Sequence, residues 1–333
     1  ALRGPGHRAS FARRMAARVL VSDKLSEQGL AVLRAAAPLV ALDVKVGLKP
    51  EELLAIIAEY EGLVIRSATK VNAAVLAAAP ALKIVGRAGI GVDNVDLATA
   101  AARGVLVMNT PDGNVVTTAE HAIALMFAAA RRVPQATASM RAGAWEKTKF
   151  QGKELFGKTI GVIGLGNIGR IVADRARGLR MRVIGLDPWV SERRGAEIGV
   201  EMVEHLDTLL AQADVVTLHV PLVEWTKNII NAVAITKMKK GAILINAARG
   251  GLVDEAEVAE AVRSGHLFSA AFDVFSAEPL DPKSPLLQVD NIIVTPHLGA
   301  STDEAQDIVA VQVAEQMVEY FKTGRARNLV TKK

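Results

Sequence analysis

A chain of 333 residues, half of them hydrophobic, has material for about two folded domains and their cores. It contains no cysteine, which excludes disulfides, thiolate catalysis and cysteine-ligated metals, and its longest apolar run, residues 122–130, is nine residues, far short of the roughly twenty that cross a bilayer. The formal charge of +5 would suit a nucleic-acid partner if it covered a face, but residues 1–18 hold five arginines (Arg3, Arg8, Arg13, Arg14, Arg18) and no acid, and elsewhere 35 Lys and Arg balance 35 Asp and Glu.

The basic excess therefore reads as a tail, and neither a nucleic acid, a membrane nor a metal is an expected partner. The tail fits a transit-peptide remnant or a segment added upstream of the fold. The second is favoured, because a strand pattern starts directly after it. A cytoplasmic protein is expected, or an organellar one if the tail is a transit remnant.

In chain order, residues 18–22 read as a strand, 27–36 and 51–59 as helices, and 62–65 as a strand ending at Arg66 and Ser67. A helix over 72–78 leads to a strand over 83–85 and then to Arg87, Ala88 and Gly89. Alternation with short connections predicts a parallel α/β domain, whose functional residues sit beyond the carboxyl ends of the strands. Arg66 and Arg87 both fall there. They are either two solvated arginines or an anion clamp delivered by neighbouring loops.

A strand over 105–108 and a turn-rich segment precede a strongly apolar helix over 119–131, with Thr117 and Thr118 as candidate N-caps and Glu120 and His121 in its first turn. So apolar a helix is expected to pack on two sides, the second being a subunit interface. The domain change is expected near 111–115.

Residues 159–187, TIGVIGLGNIGRIVADRARGLRMRVIGLD, form the most informative stretch. A β-branched strand runs into Gly164, Gly166 and Gly169 of a G-x-G-x-x-G turn, then a helix over 168–178, a second strand over 182–186 and Asp187. The first glycine turns the chain, the second admits a pyrophosphate, and the third lets the helix pack closely. The helix N-terminus faces the phosphates. Asp187 would accept hydrogen bonds from the adenosine ribose, which favours NAD over NADP. A glycine turn without any phosphate is the bland alternative.

Beyond it, helices over 206–211, 233–237 and 254–264 alternate with strands over 214–220, 242–246, 270–274 and 291–295. A helix over 304–322 closes the pattern and is expected to pack back on the first domain, making it discontinuous. Arg249 follows the strand ending at Asn246, Glu278 lies in a proline-bounded loop, and His297 follows the last strand. Histidine suits proton exchange near neutral pH, a neighbouring Glu278 would favour the imidazolium and fix its tautomer, and Arg249 would hold a carboxylate by paired hydrogen bonds. Singly, each also reads as an ordinary strand-end or surface residue.

The runs VIRSATKV (64–71), GRAGIGVDNVD (86–96), NTPDGN (109–114), GLGNIG (164–169), NAARGGLVDE (246–255), AAFDVF (270–275) and PHLGAST (296–302) occur in family order. Together they resemble the D-isomer-specific 2-hydroxyacid dehydrogenases, and within that family its phosphoglycerate-oxidising branch. The resemblance spans about residues 18–328.

It implies a Rossmann-type doubly wound NAD-binding domain (113–295) and a discontinuous flavodoxin-like α/β substrate-binding domain (18–112 and 296–333), with residues 1–17 as an extension and the catalytic cleft between the domains. By resemblance, Arg249 binds the substrate carboxylate, His297 is the acid/base and Glu278 orients it. Asn167, Ile168, Asp187, Val220, Ala247, Asp273 and Gly299 line NAD along with the glycines, Arg249 and His297, with Asp273 near the carboxamide. Arg66, Ser67, Arg87, Gly89 and Asn114 take the substrate, the arginines its 3-phosphate, while Lys147 reaches a partner's phosphate site across a dimer interface.

The implied reaction is oxidation of 3-phospho-D-glycerate to 3-phosphohydroxypyruvate with NAD, the first step of L-serine synthesis, in a homodimer or homotetramer. Many relatives continue into C-terminal regulatory domains, so serine feedback through such a domain is not expected of this chain. A glyoxylate or hydroxypyruvate reductase and a corepressor-like NAD-sensing protein share the fold and are the alternatives. The paired Arg66 and Arg87 weigh against the first.

Overall fold

The computed structural model describes residues 16–331, so the tail arginines Arg3, Arg8, Arg13 and Arg14, and the reading of their origin, lie outside the described residues. Arg18 does not belong with them. It sits in the first strand, 3.0 Å from Asp43 and paired with Glu59, with its guanidinium over the Tyr60 ring. Two units pack separately: one runs to Asn114 and resumes at Thr302, and the other is Val115–Ser301. Residues 296–301, expected to accompany the C-terminal helix, pack with the second unit.

In the first unit, β1 (Ala17–Val21), α1 (Glu27–Ala35), β2 (Val40–Val44), α2 (Pro50–Ile56), β3 (Gly62–Ile65), α3 (Ala73–Ala78), β4 (Ile84–Arg87), α4 (Leu97–Ala102) and β5 (Leu106–Met108) alternate along the chain. The strands pair in parallel in the order β2-β1-β3-β4-β5, the flavodoxin-like arrangement. Successive residues of a strand point to opposite faces, so both sides of this sheet are apolar. Val19, Val64, Ile84 and Met108 pack against Leu33 of α1 and against Val309, Val313 and Met317 of the C-terminal helix (Asp303–Thr323). Leu20, Leu63, Ile65 and Val85 pack on the other side with Leu53, Ile57 and Leu76. The last helix thus completes a unit begun three hundred residues earlier, and a Cβ on Gly29 of α1 would lie 2.7 Å from Ala310.

The second unit opens with α5 (Val115–Arg131) and α6 (Val133–Arg141) and continues through β6 (Thr159–Ile163), α7 (Asn167–Gly178), β7 (Arg182–Leu186), α8 (Glu192–Glu197), β8 (Glu201–Met202), α9 (Leu206–Gln212), β9 (Val215–Leu218), α10 (Ala232–Lys237), β10 (Ala242–Asn246), α11 (Glu255–Arg263), β11 (Leu267–Phe272) and β12 (Ile292–Val294). Its seven parallel strands are ordered β12-β11-β10-β9-β6-β7-β8, a Rossmann-type doubly wound sheet whose order reverses between β6 and β9. A crevice forms at the carboxyl ends of the strands at such a reversal.

The apolar helix starts at Val115, so Thr117 and Thr118 are inside α5 rather than N-caps, and Thr118 is buried. β11 begins at Leu267, which pairs with Ala242 before a register shift, and it ends at Phe272, leaving Asp273 just beyond the strand. The sequence reading also passed over β2, α4, α6, α8 and β8. α6 buries no residue, so no apolar period marks it.

Candidate active site

The glycine turn lies at the reversal. Gly164 has φ +93, open to glycine at little cost, and a Cβ there would lie 2.6 Å from the His219 carbonyl oxygen and 2.7 Å from Val220 Cγ1. A Cβ on Gly169 would lie 1.9 Å from the Gly164 carbonyl oxygen, whereas one on Gly166 would meet nothing within 4 Å. The turn is therefore closed against the fold on two sides and open above Gly166. α7 starts at Asn167 with no side-chain cap, so its first amides, including those of Ile168 and Gly169, present a positive end to that opening.

Across it, Asp187 is oriented by two backbone donors, Leu165 N–H to Oδ2 at 2.7 Å and Trp189 N–H to Oδ1 at 2.9 Å. An open glycine cradle, an uncapped helix start and an oriented carboxylate fit a dinucleotide, whose pyrophosphate the cradle would take and whose ribose hydroxyls would meet Asp187. Ala247 is buried just past β10. His219, which the sequence reading did not single out, follows β9 beside this turn, with Nε2 2.9 Å from Thr217 Oγ1. Burial pushes its imidazole down to about 4, so it is neutral near pH 7.

The ends of β10, β11 and β12 carry the second cluster. Asn246 Nδ2 donates to the Arg249 carbonyl at 2.9 Å, and its Oδ1 accepts from Ala248 N–H at 3.2 Å, which fixes the loop bearing Arg249. One Arg249 N–H donates to Ala248 O at 2.6 Å. That loop presses on the next one, since a Cβ on Gly250 would lie 1.8 Å from Phe275 O.

Glu278 accepts from Phe275 N–H through Oε1 at 3.2 Å, and its Oε2 lies 2.8 Å from His297 Nδ1. The pair borders a cavity of about 380 Å³ lined also by Phe275, Leu280 and Val294. His297 has φ +54, an uncommon conformation for a residue with a Cβ. The turn around it is held by Asp273, only 1 % exposed, which accepts from Thr295 Oγ1 at 2.5 Å, Leu298 N–H at 2.7 Å and Gly299 N–H at 2.8 Å. Burial raises the Asp273 carboxyl's affinity for a proton, but these bonds and His121 outweigh it and hold the group below the usual carboxylate range.

In the first unit, Arg66 follows β3 and Arg87 ends β4. Buried Asp23 accepts Arg66 N–H at 2.6 Å and the Thr69 amide and hydroxyl at 3.1 and 2.7 Å, and Asn94 Nδ2 donates to the carbonyls of Arg66 and Thr69. The loop through exposed Ser67 is thus pinned from both sides. Burial lowers the affinity of the half-buried Arg66 guanidinium for its proton, and Asp23 opposes the shift. The Arg87 guanidinium folds over Gly89, where a Cβ would lie 1.7 Å from Nη1. Asn114 is buried at the end of this unit. Lys147 stands exposed in a short turn of the second unit, on a surface groove with Phe127, Arg131 and Phe156, which is separate from the cavity at His297.

Residues 123–299 match the family described as D-isomer specific 2-hydroxyacid dehydrogenase, NAD binding domain. The chain is 49% identical over 313 residues to D-3-phosphoglycerate dehydrogenase of Archaeoglobus fulgidus, covering 94% of this chain and 59% of that protein. It is 47% identical to D-3-phosphoglycerate dehydrogenase 2, chloroplastic, of Arabidopsis thaliana, covering 92% and 48%. It therefore spans about half to three fifths of the length of these relatives. Among solved structures, the TT0316 protein of Thermus thermophilus superposes with a TM-score of 0.85 at 37% identity, covering 94% of this chain and 99% of that one. Matched in sequence across most of its length and in fold across nearly all of it, and carrying the glycine cradle and the acid that such a cofactor domain needs, the chain belongs to the D-isomer-specific 2-hydroxyacid dehydrogenase family.

Proposed function

We propose that the chain oxidises 3-phospho-D-glycerate to 3-phosphohydroxypyruvate with NAD, the reaction that opens L-serine synthesis. Val115–Ser301 acts as the NAD-binding domain and the other unit as the substrate-binding domain. The observation that carries the chemistry is the His297–Glu278 pair at 2.8 Å. What singles out a phosphorylated acid is a second cationic group, Arg66 and Arg87, on adjacent strand ends. The relatives' names support the same substrate.

Asn167, Ile168, Gly169 and Asp187 would hold NAD, with Val220, Ala247 and Gly299 lining it. When bound, NAD accepts the hydride from C2 of the acid. Glu278 takes the Nδ1 proton of His297 as a hydrogen bond, which leaves the Nε2 lone pair to receive the C2 hydroxyl proton while C2 becomes a carbonyl. The resulting imidazolium is stabilised by the carboxylate beside it. Arg249 binds the substrate carboxylate and draws charge toward the C2 oxygen. Arg66 and Arg87 bind the 3-phosphate, with Ser67, Gly89 and Asn114 shaping that end.

The working form is a homodimer or a homotetramer. α5 buries Ala122, Leu125 and Met126 but exposes Val116 and Phe127, and Val133, Met140, Trp145 and Phe156 stand exposed nearby in sequence. A second copy covering this apolar surface would also bring Lys147 to its partner.

The test is NADH formation with 3-phosphoglycerate, D-glycerate and D-lactate in parallel. Turnover of the phosphorylated acid alone supports the reading. Equal turnover of D-glycerate removes the phosphate assignment, and NADH binding with no turnover of any acid favours an NAD-sensing protein instead.

A further inference from the structure

The turn that presents His297 rests on α5, a helix that carries none of the expected site residues. Thr118 and His121 lie one helical turn apart on the same face. Thr118 Oγ1 donates to the Gly299 carbonyl at 3.0 Å. His121 Nε2 lies 3.1 Å from Asp273 Oδ1 and 3.2 Å from Thr295 Oγ1. The Thr295 hydroxyl spends its proton on Asp273 at 2.5 Å and so faces His121 as an acceptor. Both atoms near Nε2 are therefore acceptors, which assigns the proton to Nε2, shared between carboxylate and hydroxyl.

Asp273 Oδ1 thus gathers the Thr295 hydroxyl, the Leu298 amide and His121, on either side of a His297 backbone held at φ +54. A non-glycine residue persists in that region only when its surroundings over-determine it. The orientation of the Asp273 carboxylate does that here, and His121 is the side chain that holds it from the helix side.

We infer that His121 is a positioning residue for proton transfer, fixing the Asp273 carboxylate and through it the turn that aims His297 at the reacting hydroxyl. The inference rests on the reading of His297 as the acid/base. A purely structural role is the competing account, and α5 has an independent core face in Ala119, Ala122, Leu125 and Met126 that keeps the helix seated when His121 is changed.

The experiment compares His121→Leu, which removes the donor, with His121→Gln, whose amide N–H reaches a similar distance, both in the full chain. Turnover of 3-phosphoglycerate is expected to fall about tenfold or more in kcat for His121→Leu while both KM values stay within about threefold, because small misplacement of a transfer group acts on the chemical step. His121→Gln is expected to recover most of it.

In the cofactor-free protein, the imidazole NMR resonances of His297, assigned by their loss in His297→Asn, should move in His121→Leu and return in His121→Gln. Unmoved resonances with unchanged kcat overturn the inference. So does a loss of kcat that His121→Gln fails to restore while its thermal unfolding matches wild type. If His297→Asn keeps its turnover, the acid/base reading has failed instead, and the resonance shift still reports whether His121 positions the turn.

Discussion

Glu278 Oε2 and His297 Nδ1 meet at 2.8 Å although neither residue is buried. The contact survives that exposure because each partner is held from behind, Glu278 by the Phe275 amide and the His297 turn by Asp273. In the proposed reaction the pair would have two separable jobs, proton transfer by the imidazole and orientation by the carboxylate. His297→Asn should lower kcat by about 10²–10⁴-fold. Glu278→Gln keeps a hydrogen-bonding group but loses the charge, and should cost less, about 10–100-fold. Steady-state kcat for the two variants checks the order. Equal losses would mean that Glu278 does more than orient and charge the ring.

The glycine turn separates folding from cofactor binding at two neighbouring positions. A methyl on Gly169 would lie 1.9 Å from the Gly164 carbonyl oxygen, so Gly169→Ala should destabilise the unit by about 1–3 kcal/mol or more. A methyl on Gly166 meets nothing within 4 Å. Gly166→Ala should therefore fold normally, even with a gain of about 0.5 kcal/mol, yet bind NAD about tenfold more weakly because the methyl fills the cradle left for the pyrophosphate. Urea unfolding and calorimetric NAD titration of both variants measure the two effects. A Gly166→Ala protein with wild-type NAD affinity would place the dinucleotide elsewhere.

Asp187 is expected to set the choice of cofactor. Its carboxylate is fixed by Leu165 and Trp189 amides, so a 2′-phosphate would meet a charge that cannot swing aside. Asp187→Ala should weaken NAD binding and raise NADP binding relative to it. The ratio of the two dissociation constants is the readout, and an unchanged ratio would deny Asp187 the ribose contact.

His219 makes stability depend on pH. Its folded value of about 4 lies below the ordinary 6.5 because burial disfavours the charged ring, and its Nδ1 is buried with no partner among the described residues. As the pH falls the unfolded chain takes up this proton first. The contribution is complete above 6.5, is lost progressively between 6.5 and 4, and is absent below 4. Its size is up to about 3 kcal/mol. Asp273, with its lowered value, holds its own contribution until the pH falls further. Urea unfolding at pH 7 and pH 5 should show a smaller loss for His219→Gln than for wild type. The same slope in both proteins would remove His219 from the account.

What the sequence made visible was local. The run from Thr159 to Asp187 carries strand, turn, helix, strand and acid within thirty residues, and the fully buried strands Gly62–Ile65 and Ala242–Asn246 are apolar up to the closing Asn246. The contacts behind the candidate site are not local. His121 reaches Thr295 across 174 residues, and nothing around it tells a histidine in an apolar helix that it faces a strand end. Thr117 and Thr118 looked like caps because hydroxyls before an apolar run usually are. In the fold, Thr118 spends its hydroxyl on Gly299 instead. β2, half exposed, and α6, with no buried residue, lack the periodicity that marks an element.

The central claim is that the Arg66 and Arg87 group selects a phosphorylated acid. It is tested most directly by the ratio of kcat/KM for 3-phosphoglycerate to that for D-glycerate, in wild type and in Arg66→Ala. Arg66 is held in a loop pinned by Asp23 and Asn94, so its loss removes a charged donor without freeing the backbone around it. The ratio should fall about 10–100-fold through the phosphorylated acid alone, the value of a charge-assisted hydrogen bond. An unchanged ratio, or an equal fall for both acids, would contradict the assignment.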